Sequence, residues 1–167
     1  MKLDEVPPGE KVFIDANIFI YHFTGASQEC KEFLKDCAQN KFTAFTSTTV
    51  LAEVCHRLMA VEAVKKGLVS PKQPSMALQK NPAAVKKLSE YYVQMTNILG
   101  WGIHIINPRE NIFVKSQIYR QRFGLLTNDS MIPVCMEEAG TANLASADKM
   151  LASIDRVNAY SPCDIHT

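Results

Sequence analysis

The stretch Lys11-Val12-Phe13-Ile14-Asp15-Ala16-Asn17-Ile18-Phe19-Ile20-Tyr21 contains one carboxylate between two apolar runs. The run before Asp15 is short, follows a Pro-Pro-Gly turn and predicts a buried strand. The run after it predicts a short helix, for which Asn17 is a candidate N-cap. A carboxylate at the edge of a core loses hydration at a cost of several kcal/mol unless a partner compensates. Asp15 is therefore the first candidate for a functional residue.

Four further apolar runs predict strands, and segments with helical patterns separate them. They are residues 43–46, 103–106, 143–146 and 157–160. Because the runs are apolar throughout and alternate with helices, we expect an α/β fold with a parallel sheet of four to five strands, covered on both faces. We expect one domain over residues 1–167. In such folds the site lies at the carboxyl ends of the strands.

The helical patterns carry recognisable caps and stops. Ser47 or Thr48 is expected to cap a helix with an apolar stripe at Val50, Val54, Leu58 and Val61. Residues 67–81 predict a protruding connection with one helical turn around Met76. An uninterrupted helix should follow, with its stripe at Val85, Leu88, Tyr92, Met95 and Leu99. A last long helix should begin late enough, at residues 128–130, to leave Pro133 in its first turn.

Three more carboxylates interrupt apolar neighbourhoods near the expected site edge. They are Glu53 in Val50-Leu51-Ala52-Glu53-Val54, Asp129 in Thr127-Asn128-Asp129-Ser130, and Asp148 in Ala145-Ser146-Ala147-Asp148. No basic residue is the neighbour in sequence of Asp15, Glu53 or Asp129. Mg²⁺ and Mn²⁺ prefer such oxygen ligands, so one bound cation would compensate all these groups at once. Asp155, seven residues beyond Asp148, is a competing fourth acid.

Composition narrows the class of protein. The net charge of +1 gives no global basic signal for nucleic acid, although a local basic surface would be enough. The five cysteines form an odd set without a CxxC pair and predict reduced core residues rather than a zinc site. The histidines are expected to be packed or solvated. No apolar run approaches a membrane span and the first ten residues predict no targeting helix, so we expect a soluble, cytoplasmic protein.

The stretch Phe13-Ile14-Asp15-Ala16-Asn17-Ile18-Phe19-Ile20-Tyr21 resembles the opening of the PIN-domain ribonucleases. Leu51-Ala52-Glu53-Val54, Asn128-Asp129-Ser130 and Ser146-Ala147-Asp148 are similar to the other acidic motifs of that family, in order and spacing. The resemblance covers roughly residues 11–160. It implies a three-layer α/β/α sandwich and endonucleolytic cleavage of RNA. It also implies that Asp15, Glu53, Asp129 and Asp148 bind Mg²⁺ or Mn²⁺, with Asn17 and Ser146 as supporting polar residues.

Many family members of this length are VapC-like toxins of toxin–antitoxin pairs. The resemblance therefore implies a homodimer and a small antitoxin protein that covers the site. Two alternatives stay open at this point: a housekeeping PIN nuclease that processes ribosomal RNA, and a PIN-like module that binds RNA or protein without cutting. A phosphatase with an aspartyl nucleophile would carry DxD after the first strand, and position 17 is Asn.

An RNA substrate must approach an acidic site, so basic residues should flank that site. The candidates are Arg57, Lys65, Lys66, Lys86, Lys87, Lys115, Arg120 and Arg122. For the pairs Lys65-Lys66 and Lys86-Lys87, a solvated helix face is the simpler interpretation. The connection at residues 67–81 is expected to contribute to dimer or antitoxin contacts.

Overall fold

The computed structural model describes residues 1–165, so the predicted domain extends over two residues that lie outside the described range. Within that range, five strands form one sheet. They are β1 (Lys11–Ile14), β2 (Thr43–Ser47), β3 (His104–Ile106), β4 (Asn143–Ala145) and β5 (Asn158–Tyr160). Their spatial order is β3-β2-β1-β4-β5, and every neighbouring pair is parallel. The predicted parallel α/β sheet is confirmed, including its fifth strand.

Helices connect these strands and flank the sheet. Within the described residues they are α1 (Ala16–Thr24), α2 (Gln28–Ala38), α3 (Thr48–Lys65), α4 (Pro74–Gln79), α5 (Pro82–Val85), α6 (Glu90–Gly100), α7 (Glu110–Lys115), α8 (Gln117–Phe123), α9 (Thr127–Ala139) and α10 (Lys149–Ala152). Helices α1, α2, α3 and α6 pack together as one group, and α7, α8 and α9 as another. The arrangement is the expected three-layer sandwich.

The central strand β1 explains both the core and the position of the site. Val12, Phe13 and Ile14 are fully buried, and Phe13 lies opposite Phe45 of β2 and Leu144 of β4. From β1 the chain builds the sheet outward through β2 to β3, and it then crosses back to add β4 on the other side of β1. The carboxyl ends of β1 and β4 therefore meet at the point where the strand order reverses, which is where open α/β sheets bind ligands.

The expectation of one helix from Asn81 to Leu99 is wrong. The helix is interrupted between α5 and α6, because Ser89 has a non-helical backbone with φ −151° and ψ −25°. The carboxylate of Glu62, only 3% exposed, accepts hydrogen bonds from the backbone N–H of Ser89 at 2.8 Å and of Tyr91 at 2.9 Å. Of the predicted stripe, Leu88 is buried and Val85 and Met95 pack against the core, whereas Tyr92 and Leu99 are exposed.

Other local predictions also needed correction. Helix α9 begins earlier than expected, so Pro133 lies inside it and cannot donate an N–H to the carbonyl of Asp129. Val61 is exposed rather than part of the apolar stripe. Cys163 is exposed, whereas Cys30, Cys37 and Cys135 are buried thiols as predicted. Among residues 1–165, no helix has both the length and the apolar character needed to cross a membrane.

Candidate active site

The site begins where β1 ends. Asp15 has an extended backbone and is the N-cap of α1, because its Oδ1 accepts a hydrogen bond of 2.6 Å from the N–H of Ala16. The prediction that Asn17 caps this helix is wrong, since Asn17 lies inside α1. Because Asp15 directly follows β1, its side chain lies at the edge of the sheet where the strands end.

Asn17 and Ser146 hold the other oxygen of Asp15. The Asn17 Nδ2 and Ser146 Oγ donate to Asp15 Oδ2 at 2.6 Å and 2.7 Å. The same two side chains accept from the loop after β4, with Asn17 Oδ1 bound to the N–H of Ala147 and Ser146 Oγ to the N–H of Asp148, both at 3.0 Å. This network joins the ends of β1 and β4 and fixes the orientation of the Asp15 carboxylate.

The environment of Asp15 disfavours its charge. The residue is only 7% exposed, and no ion pair within residues 1–165 involves it. Burial raises the pKa of Asp15 from 3.8 to about 6, against the opposing hydrogen bonds from Ser146 and Ala16. The negative charges of Glu53 and Asp129 raise that pKa further. The two charges therefore lie close enough to Asp15 to act on it.

The other predicted acids come to the same edge. Glu53 is half-buried in the second turn of α3, and Asp129 is half-buried in the first turn of α9. Asp148 is the N-cap of α10, with its Oδ1 accepting from the N–H of Met150 at 2.7 Å. Burial raises the pKa of Asp129, and the charges of Asp148 and Glu53 raise it further. We call Asp15, Glu53, Asp129 and Asp148 the acidic cluster.

Asp155 does not belong to the acidic cluster. Its side chain is 65% exposed and forms an ion pair of 2.5 Å with the guanidinium of Arg122. The structure thus distinguishes the two candidates for the fourth acid. The charge of Asp148 acts on Asp129, whereas the charge of Asp155 is paired with Arg122.

The donor set of the acidic cluster decides which kind of divalent cation it could hold. Within the described residues, no three Asp, Glu, His or Cys side chains lie close enough together to form a ready-made metal cage. Mg²⁺ does not require one, because it usually keeps several waters and binds one or two protein carboxylates. Asp15 is buried, and Asp15, Glu53 and Asp129 pair with no basic side chain within residues 1–165. These carboxylates therefore fit a cation such as Mg²⁺ that keeps several of its water ligands, rather than one bound by protein ligands alone.

Several of the predicted RNA-contacting cations are engaged with acids outside the cluster. Lys65 pairs with Glu90 at 3.2 Å, and Lys66 pairs with Glu62 at 2.6 Å. The guanidiniums of two arginines also lie over aromatic rings: Arg120 over Phe113 and Arg122 over Phe123. Arg57, Lys86, Lys87 and Lys115 form no ion pair within residues 1–165. Of the eight predicted candidates, these four therefore have neither an acidic nor an aromatic partner within residues 1–165.

The raised pKa of Asp15 predicts how metal-free stability depends on pH. The unfolded chain loses this proton near pH 3.8 and the folded protein near pH 6. Between these values the folded state binds more protons, so the free energy of unfolding should fall by about 3 kcal/mol as the pH rises. We expect urea denaturation in EDTA to show this fall in the free energy of unfolding for the wild type. The Asp15→Asn variant should lack the part of the fall that comes from Asp15. Parallel pH profiles of the two proteins would contradict the assignment.

The fold and the acidic cluster define a class: α/β proteins with an acidic site at the switch point of a parallel sheet. The profile of the PIN domain family matches residues 12–157, which is most of the chain. The chain therefore belongs to the PIN domain family. A search of curated protein sequences found no match.

Two solved structures share the fold. The toxin VapC20 of Mycobacterium tuberculosis, which cleaves the sarcin–ricin loop, has a TM-score of 0.56 and 12% identity. The match covers 85% of this chain and 93% of VapC20. VapBC2 from Rickettsia felis, solved with a DNA fragment from its promoter, has a TM-score of 0.53 and 15% identity, over 91% of this chain and 98% of that one. At these identities the likeness establishes a shared fold.

Proposed function

We propose that this protein is a metal-dependent endoribonuclease that hydrolyses RNA phosphodiester bonds. The observation that carries the proposal is Asp15, a buried carboxylate at the end of β1 that Asn17 and Ser146 hold in place and that pairs with no basic residue within residues 1–165. Asp15, Glu53, Asp129 and Asp148 are the proposed catalytic acids and the ligands, directly or through water, of Mg²⁺ (or Mn²⁺). Membership of the PIN domain family supports this assignment.

Each residue of the acidic cluster has its own role in the proposed reaction. A bound divalent cation supplies charge to the phosphate and lowers the pKa of a water. Asp15 is mostly ionised at pH 7 with a pKa near 6, and Asn17 and Ser146 hold its carboxylate in one orientation. Glu53 and Asp129 lie on separate helices, α3 and α9, so two elements of the fold would position the phosphate.

We further propose that the protein is the toxin of a toxin–antitoxin pair, acting as a cytoplasmic homodimer that a small antitoxin silences. The VapC20 and VapBC2 structures support this role through their shared fold. The surface of α6 supports a second subunit, because Tyr92, Val93 and Leu99 are each more than half exposed there. An exposed apolar surface of this kind is typical of a protein–protein contact.

Controlled expression in a bacterial host tests this function. We expect the wild-type chain to arrest growth and to produce discrete new RNA 5′ ends, because cleavage at defined sites disables an essential RNA. The Glu53→Gln variant keeps the size of the side chain and removes its charge, so it should cause neither effect. Cleavage without growth arrest would instead indicate a housekeeping nuclease. Arrest by Glu53→Gln at equal protein level would contradict catalysis as the cause.

A further inference from the structure

The charge of this chain is unevenly distributed. Residues 63–89, which we call the basic lobe, contain six lysines and no Asp or Glu. The rest of the chain carries all 17 acidic residues and 12 of the 18 basic ones, so the lobe is strongly positive in a protein of net charge +1. Lys72, Lys80, Lys86 and Lys87 form no ion pair within residues 1–165. Such a concentration of unpaired cations is the electrostatic signature of a polyanion-binding surface.

A cavity lies where the basic lobe packs against α3. It has a volume of about 440 Å³, and its lining includes His56, Met59, Ser75, Met76, Gln79 and Val85. The thioethers and the imidazole provide flat or adaptable apolar walls. Ser75 and Gln79 add hydroxyl and amide groups that can bond to a base edge. Lys80 and Lys86 directly follow the lining residues Gln79 and Val85 in sequence, so both cations belong to the segments that form the cavity.

The cavity is close to the acidic cluster along one helix. His56 lies three residues after Glu53 on α3, about 4.5 Å along the helix axis, and therefore on the same face. Arg57, at the fourth position after Glu53, is exposed and forms no ion pair within residues 1–165. Arg57 and the cavity residue His56 therefore both lie about one helical turn from Glu53.

We propose that the basic lobe binds single-stranded RNA, and that the cavity between α3, α4 and α5 takes one unpaired base next to the cleaved phosphate. The proposal rests on the proposed nuclease function, because it identifies the substrate class of the same site. Proteins recognise single strands through cations along the backbone together with ring and apolar surfaces that receive splayed bases. The position of His56 one helical turn after Glu53 favours RNA over an acidic peptide as the ligand of the lobe, because one chain could then occupy both the cavity and the acidic cluster.

Binding measurements on the full-length Asp15→Asn protein test the lobe without RNA turnover. We expect Lys80→Gln/Lys86→Gln to weaken binding of a fluorescent single-stranded RNA about tenfold at low salt, and to reduce the salt slope by about 1.4, because two phosphate contacts are lost. The matched control is Lys31→Gln/Lys35→Gln, two exposed lysines of α2, which removes the same charge and should change the affinity less than about twofold.

The cavity is tested at Met76, which is half exposed. Met76→Ala removes part of the wall and should weaken RNA binding about fivefold, whereas Met76→Leu keeps the volume and should bind normally. Neither variant should affect binding of an abasic RNA of the same length. Equal losses of RNA affinity in Lys80→Gln/Lys86→Gln and in Lys31→Gln/Lys35→Gln would overturn the inference. An equal effect of Met76→Ala on the affinity for the normal and the abasic RNA would also overturn it. So would an unchanged affinity for RNA with a weakened affinity for polyglutamate, which would identify a peptide-binding lobe.

These outcomes are independent of the proposed nuclease activity, because they measure binding alone. If the wild type cleaves RNA while the lobe variants bind it normally, the nuclease assignment stands and the lobe assignment fails. If the lobe variants lose affinity while the wild type never cleaves, the RNA surface stands and the nuclease assignment fails.

Discussion

Replacing Asp15 by Asn should lower the rate of metal-dependent RNA cleavage by about a thousandfold while the fold stays intact. The substitution removes the charge of the one cluster residue that the core encloses, so the cation and the phosphate lose their most firmly oriented ligand. The oxygen of the new amide can still accept from Asn17 and Ser146, and only the N–H of Ala16 loses its acceptor, which is why the local structure should survive. Single-turnover cleavage and circular dichroism would measure the two effects separately.

Asp155→Asn is the matched control for this substitution. It makes the same chemical change at a carboxylate that is 65% exposed and paired with Arg122, outside the acidic cluster. Its cleavage rate should equal that of the wild type. If the two variants lose activity to the same extent, Asp15 has no special role and the location of the site is wrong.

The largest expected effect on stability is at Glu62. Its carboxylate accepts hydrogen bonds from Lys66 and from the backbone N–H groups of Ser89 and Tyr91, where the chain turns from α5 into α6. Glu62→Ala leaves these donors without their acceptor in a site that is 3% exposed, so we expect a loss of about 3 kcal/mol in the free energy of unfolding. Urea denaturation at pH 7 measures this loss.

The pH dependence of this loss provides a second test. Burial raises the pKa of Glu62, but the hydrogen bonds from Lys66, Ser89 and Tyr91 outweigh it and lower the pKa from 4.5 to about 2. The stabilisation is therefore complete above pH 4.5 and should disappear as the pH falls toward 2. Glu90→Ala removes a neighbouring, more exposed partner of the same lysine and should cost less than about 1 kcal/mol. An equal cost for both variants would contradict the role of Glu62.

The sheet and most of the site could be predicted because their causes are local in sequence. The run before Asp15 is continuously apolar, and only a strand buried on both faces of a sheet needs that pattern. Each acid of the cluster interrupts an apolar neighbourhood near the end of a strand or the start of a helix. Because parallel strands place their carboxyl ends at one edge of the sheet, the acids are expected at that edge. The contacts of Asn17 and Ser146 with Asp15 agree with their predicted supporting role, while the ligand and catalytic roles stay predictions.

The errors arose where tertiary contacts override local preference. A pattern running through Val85 and Leu88 favours one continuous helix, but the buried Glu62 binds the N–H groups that would continue it. The only local signal of that contact is the spacing of Glu62 and Lys66, and it predicts an ordinary surface pair. Pro133 is tolerated inside α9 because the buried contacts of that helix outweigh one missing hydrogen bond.

The most direct test of the central claim is cleavage of total cellular RNA by the purified full-length protein. We predict discrete fragments with Mg²⁺ or Mn²⁺, and their complete loss when EDTA removes the cation or when Asp15→Asn replaces the wild type. End mapping of the fragments would then identify the target. RNA that stays intact with either metal, from a protein that shows no Mg²⁺ binding by calorimetry, would contradict the account and leave a PIN domain that binds without cutting.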